Sequence, residues 1–151
     1  MNRKIAIVVG SKNDISYLEG AKTILDRFEL SYEVMVMSAH RSLDKTMDFA
    51  QNAETDGYSV IIACAGMAAH LPGVIAAKTV LPVIGVPLPT SDIKGMDALL
   101  AIVQMPSGVP VATMAIGKAG VKNAAILAVQ ILGLQDEVLK EKLKQYKLSL
   151  G

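Results

Sequence analysis

Short runs of branched apolar residues, each closed by a turn bearing glycine, serine or histidine, govern what this chain can become. Ile5 to Val9 ends at Gly10-Ser11, Tyr32 to Met37 at Ser38-Ala39-His40-Arg41, and Val60 to Ala65 at Gly66. Val83 to Val86 lies between Pro82 and Pro87, and Val111 to Ala115 supplies a fifth run. Runs this short and this rich in Val and Ile read as strands buried on both faces. Between them the spacing turns helical: Ile15, Leu18, Ala21, Ile24, Leu25 and Phe28 recur every three or four residues, with Asp14 placed to cap the start. A second helix is predicted from Ser42 to near Gly57, with Leu43, Met47, Ala50 and Ala53 facing inward. A short Ala-rich helix follows the Gly66 to Gly73 loop, and another surrounds Met96 to Val103. Ala119 to Leu132 and about Asp136 to Leu148 form the last two. Strands alternating with helices require crossover connections and hence a parallel sheet, so the expected fold is an α/β three-layer sandwich in one domain over residues 1–151.

Composition narrows the partners. A chain of 151 residues buries roughly 70% of the surface its unfolded form exposes, enough for a core without disulfide or structural metal. Its one cysteine, Cys64, sits within a strand run, which reads as a small core residue in a reducing compartment. Fifteen basic and fourteen acidic residues leave a net charge of +1, which gives no electrostatic reason to expect nucleic acid or an anionic membrane. The apolar stretch from Val60 to Pro87 is cut by Gly66, His70, Pro72, Gly73, Lys78 and Pro82, so it reads as strand, loop, helix and strand rather than a membrane span. No export signal is read at the N-terminus, and the expected location is the cytoplasm. Hydrophobic residues make up 52% of the chain but aromatics only 4%, a high apolar fraction for a monomer, so a homo-oligomer is expected.

The chemistry should lie where strands end, because in open parallel sheets ligands bind outside the carboxyl ends. Gly10-Ser11-Lys12-Asn13-Asp14 turns from strand into helix, where free backbone N–H groups and the helix dipole favour an anion. Ser11 adds a donor, and Asp14 can accept from sugar hydroxyls; both residues could equally be caps. No GxGxxG or Walker A pattern exists, so a dinucleotide or P-loop site is not expected. In Ser38-Ala39-His40-Arg41, Arg41 offers a planar donor set matched to phosphate, and His40 is the side-chain type that titrates around neutrality. The Ala65-Gly66-Met67-Ala68-Ala69-His70-Leu71-Pro72-Gly73 loop lets a ligand approach the backbone closely and carries the only other histidine. Two histidines without an HExxH or Cys/His cluster do not make a zinc site, so no metal is expected. A Gly-x-Ser-x-Gly elbow is also missing.

At these loops the chain resembles the PurE family, the N5-carboxyaminoimidazole ribonucleotide mutases. The likeness is carried by Gly10-Ser11-x-x-Asp14, Ser38-Ala39-His40-Arg41 and Ala65-Gly66-x-Ala68-Ala69-His70-Leu71-Pro72-Gly73. It continues through Gly85-Val86-Pro87, Gln104-Met105-Pro106-x-Gly108-Val109-Pro110-Val111-Ala112-Thr113 and Ala115-Ile116-Gly117-x-Ala119-Gly120-x-x-Asn123-Ala124. The resemblance implies a flavodoxin-like subunit in a homo-octamer, with the C-terminal helix packing on a neighbour. It implies a small ribonucleotide substrate and no cofactor. Ser11, Ser38 and Arg41 would hold the phosphate, and Asp14 the ribose hydroxyls. The Ala65-Gly66 backbone and the loop with Ala68, His70 and Leu71 would line the base and carboxylate pocket, with His40 as general acid/base. The chain departs from the family pattern at Asn13, at Met67 where Gly is common, and at the Leu88-Pro89-Thr90 turn. A related branch carboxylates aminoimidazole ribonucleotide directly with CO2 and typically has Lys after Ser-Ala-His and no second histidine. Arg41 and Ala68-Ala69-His70 point to the mutases instead. Read without the resemblance, the same loops would also suit a non-catalytic nucleotide-binding module.

Overall fold

The computed structural model describes residues 4–151. Five parallel strands form one sheet: β1 (Lys4–Val9), β2 (Tyr32–Val36), β3 (Tyr58–Gly66), β4 (Val83–Leu88) and β5 (Ala112–Thr113), in the order β2-β1-β3-β4-β5. That order and parallel sense define a flavodoxin-like doubly wound sheet, with its topological switch between β1 and β3. Helices α1 (Glu19–Arg27), α2 (Leu43–Asn52), α3 (Leu71–Ala76), α4 (Met96–Val103), α5 (Lys118–Gly133) and α6 (Glu137–Leu148) complete the chain.

Side chains of a strand alternate between faces, and each face has its own core. Ile5, Ile7, Val9, Ile62, Cys64 and Val86 meet α1, α5 and α6 on one side. Ala6, Val8, Ile61, Ala63, Ala65 and Val83 meet α2, α3 and α4 on the other. The second face is lined largely by alanine, so its helices approach closely. The register pairs Val9 with both Val36 and Cys64, and Gly66 with Leu88. The carboxyl ends of four strands therefore finish along one edge, β3 and β4 running two residues beyond β1 and β2.

Four details differ from the sequence expectation. The chain does not enter α1 directly from β1 but passes through a 3₁₀ helix, Lys12–Tyr17. Its cap is Ser11, whose extended backbone lets Oγ accept from the Asn13 N–H at 3.3 Å, while Asp14 lies inside the helix with its side chain buried. On α2 the inward position is taken by Thr46, which is fully buried, whereas Leu43 is 44% exposed. The Thr46 hydroxyl can be buried because it donates to the Ser42 carbonyl at 3.0 Å. That helix ends at Asn52, and a turn closed by Gly57 at φ 87° leads into β3. β5 is two residues long, since Pro110 has no N–H to donate and the ladder continues beyond it only through the Met114 N–H to Gly85 and the Gly117 N–H to Pro87. Among the described residues no helix is long and apolar enough to cross a membrane.

The first turn of α5 comes close to the backbone of the turn that follows β5. A Cβ on Gly120 would sit 1.6 Å from the Ala115 carbonyl oxygen, and backbone cannot rotate out of the way as a side chain can. Gly120→Ala should lower unfolding stability by at least about 2 kcal/mol, the upper range of overpacking effects. A urea midpoint equal to the parent's would show that the segment relaxes freely.

Candidate active site

Each strand-end loop is fixed by its own hydrogen bonds. After β1, the Asp14 N–H donates to the Ser11 carbonyl at 3.1 Å, tightening the turn so that the carboxylate folds back under Gly10. Burial raises the Asp14 pKa above the ordinary carboxylate value, and a hydrogen bond from the Ser11 backbone and the nearby Arg41 charge offset part of that rise. The carboxylate is thus a desolvated acceptor held beside a guanidinium.

After β2, Ser38 is the centre of a knot. Its Oγ accepts from the backbone N–H groups of His40 at 3.3 Å and Arg41 at 3.2 Å. Ser42 Oγ accepts from the Ser38 N–H at 2.9 Å and donates back to the Ser38 carbonyl at 3.1 Å. Because the Ser42 hydroxyl is engaged there, it does not cap α2. His40 and Arg41 consequently leave the loop from a backbone with little freedom. The hydroxyls of Ser11 and Ser38 act here as acceptors, which leaves their O–H donors for an anion.

After β3, Ala69 donates to the Met67 carbonyl at 2.9 Å and His70 to the Ala68 carbonyl at 2.8 Å. Met67 has φ 55°, a left-handed conformation that favours glycine. That explains why glycine suits this position and makes Met67, 61% exposed, a strained departure. The double turn swings His70 across to β2's loop, where His40 Nε2 and His70 Nδ1 stand 2.8 Å apart with their rings at 75°. One nitrogen of the pair must donate and the other accept, so the tautomer of one ring fixes that of the other.

Ser11, Asp14, Ser38, His40, Arg41, Ala65, Gly66, Ala68, His70 and Leu71 all line one cavity of about 620 Å³. It opens at the switch point, where a doubly wound sheet binds its ligands. All ten residues picked out from the sequence therefore share a wall. Thr90, at the end of β4, lines the same cavity and was not picked out. The rule that singled out the other loops applied to this strand end as well, but its turn carries no histidine, arginine or glycine to draw notice. Cys64 plays no part: burial pushes its thiol up to about 12, with the Asp14 charge adding to the effect, so it is no nucleophile. Among the described residues no group of three His, Cys, Asp or Glu side chains could hold a metal ion. A second hollow of about 690 Å³ lies between α1 and α6, where Lys142 pairs with Glu29 and Arg27 stacks on Tyr146. None of its lining residues belongs to the cavity that holds the histidines.

Sheet order and cleft define a doubly wound α/β protein with a strand-end cavity faced by a pair of imidazoles. The chain belongs to the AIR carboxylase family, whose model it matches over residues 4–150. It is 54% identical over 143 residues to an N5-carboxyaminoimidazole ribonucleotide mutase of Saccharolobus solfataricus, covering 95% of this chain and 89% of that one. To the Escherichia coli protein of the same name it is 51% identical over 144 residues, covering 95% and 85%. The crystal structure of Treponema denticola PurE superposes with a TM-score of 0.87 at 27% identity, covering 97% of this chain and 90% of that chain.

The raised pKa of Asp14 carries a consequence for stability. A carboxyl whose folded pKa lies above its unfolded value stabilises the fold when protonated, so its ionisation penalty is absent below the unfolded pKa and complete above the folded one. Asp14→Asn removes that penalty. The variant should melt at or above the parent at pH 7, with the difference shrinking as pH falls through the raised folded pKa and gone below about 4. A variant less stable at pH 7 than at pH 4, relative to the parent, would reverse the sign.

Proposed function

We propose that this protein is an N5-carboxyaminoimidazole ribonucleotide mutase of purine biosynthesis, converting its substrate to 4-carboxyaminoimidazole ribonucleotide. The 2.8 Å contact between His40 and His70 within the cavity carries the reading, and the names of the half-identical relatives support it. Ser11, Ser38 and Arg41 bind the phosphate: two free hydroxyl donors and a guanidinium surround the loops after β1 and β2. Asp14 accepts from the ribose hydroxyls, for which a desolvated carboxylate fixed by its own turn is suited. The Ala65 and Gly66 backbone, with Ala68 and Leu71, walls the aminoimidazole.

The reaction follows from that placement. The carbamate N–C bond breaks, the electron pair returns to the exocyclic nitrogen, and His40 delivers a proton there. CO2 stays in the closed pocket, and the electron-rich ring carbon attacks it to form the new C–C bond. His40 then removes the proton from that carbon, restoring the aromatic ring. Atoms and electrons balance with no redox partner or phosphoryl donor. His70 holds the His40 ring at the correct tautomer and passes the proton between the two positions, so the pair works as one acid/base unit. The protein contributes orientation and exclusion of water.

The working form is a cytoplasmic homo-octamer. Met96, Leu100 and Val103 lie exposed along α4, and Leu134, Val138 and Leu148 along or beside α6, apolar surface suited to burial between copies. Within the chain, α6 packs Leu139 and Tyr146 onto the core, leaving its outer face for a neighbour.

Offered the carbamate ribonucleotide and, separately, aminoimidazole ribonucleotide with bicarbonate, the protein should convert the first at low concentration. Conversion of only the second would mark a CO2-dependent carboxylase, and of neither a binding module. His40→Asn should lower turnover by about 10²-fold or more while keeping product affinity within a few fold. Unaltered turnover would remove His40 from the mechanism.

A further inference from the structure

We infer that Thr90 is a specificity-determining residue of this site, its hydroxyl recognising the carboxylate that the reaction moves; the inference rests on the function proposed above. Thr90 follows β4, and its side chain lines the cavity and is exposed to it. Its Oγ1 lies over Gly66 so closely that a Cβ on residue 66 would meet it at 1.8 Å. Among the described residues that hydroxyl has no hydrogen-bond partner. A donor and acceptor aimed into a cavity with nothing of its own chain to bind is available to a ligand.

The turn that carries Thr90 is rigid. On its upstream side Pro87 accepts from the Gly117 N–H at 2.9 Å. Pro89 lies close under Gly95, where a Cβ would come within 3.1 Å of its Cα. On the downstream side Ser91 Oγ donates to Asp97 at 2.8 Å and its carbonyl accepts from Lys94 at 3.0 Å. A hydroxyl fixed in this way is preorganised for a contact and loses little freedom in making it.

Position across the sheet says which end of the substrate it meets. In the order β2-β1-β3-β4, the phosphate loops follow β2 and β1, the His70 loop follows β3, and Thr90 follows β4. Neighbouring strands are about 4.8 Å apart, so Thr90 stands roughly 14 Å of sheet edge from the Ser38 loop. The phosphate is held at one end, the ring over β3, and the group beyond the ring is the migrating carboxylate. Thr90 donates to one of its oxygens beside Gly66. A bare aminoimidazole ribonucleotide has no atom there.

Calorimetric binding of 4-carboxyaminoimidazole ribonucleotide and of aminoimidazole ribonucleotide to the parent, Thr90→Val and Thr90→Ser tests this. Hydrogen bonds to charged groups are worth roughly tenfold or more in affinity. Thr90→Val should therefore lose about tenfold for the carboxylated ligand and less than twofold for the bare one, and Thr90→Ser should bind both as the parent does. Equal losses for the two ligands, no loss for either, or no recovery with serine would overturn the assignment. Should Thr90→Val melt well below the parent, Thr90→Ala takes its place with the same expected ratio. A parent that binds the bare ligand but neither binds nor forms the carboxylated one would instead overturn the mutase reading.

Discussion

A strand with neighbours on both sides and helices on both faces can satisfy its backbone only within the sheet. β3 is in that position, pairing with β1 along one side and β4 along the other. Because every pairing is parallel, each return crosses over the sheet, and all the strand-to-helix turns fall on the same edge. Parallel pairing thus forces Ser11, Ser38, Gly66 and Thr90 into one row. The register decides how closely they meet: Val9, Val36 and Cys64 lie abreast and β3 runs two residues further, and from these neighbouring ends two rings thirty residues apart come within hydrogen-bonding distance.

The loops that gain chemistry give up some ease of folding. Asp14 is a carboxyl kept from water although charge would favour exposure, and Met67 adopts a backbone geometry that costs a non-glycine residue about 1–2 kcal/mol. Both sit on the cavity wall, where strain concentrates in functional proteins. Elsewhere the chain is well satisfied. Among the described residues no buried side-chain nitrogen or oxygen lacks a partner, and the two cores account for the strength that the site draws upon.

Much of this was legible beforehand in particular residues. The unbroken branched apolar runs Ile5 to Val9 and Val60 to Ala65 identified strands covered on both sides, the strand-end rule pointed to the loops after β1, β2 and β3, and the family resemblance supplied Ser38, Ala65, Ala68 and Leu71 within them. What escaped was of two kinds. Hydroxyl roles depend on which partner lies nearest: of the two possible caps it is Ser11 that accepts in the first turn, Ser42 serves Ser38 instead of its own helix, and Thr46 displaces Leu43 from the interior. Linear spacing cannot rank such contenders, because a satisfied threonine buries as readily as an apolar residue. Thr90 escaped for another reason. Its significance comes from touching Gly66 across β4 and β3, and only the register supplies that neighbour.

The geometry joins a phosphate seat to a proton-sharing imidazole pair, and nitrogen-15 NMR of labelled histidine reads that junction without turnover. His40 Nε2 and His70 Nδ1 should report one proton shared between them in the free protein, and both rings should shift together when the carboxylated product is added. Two rings with no coupling between their nitrogen signals, and His40 indifferent to product, would contradict it.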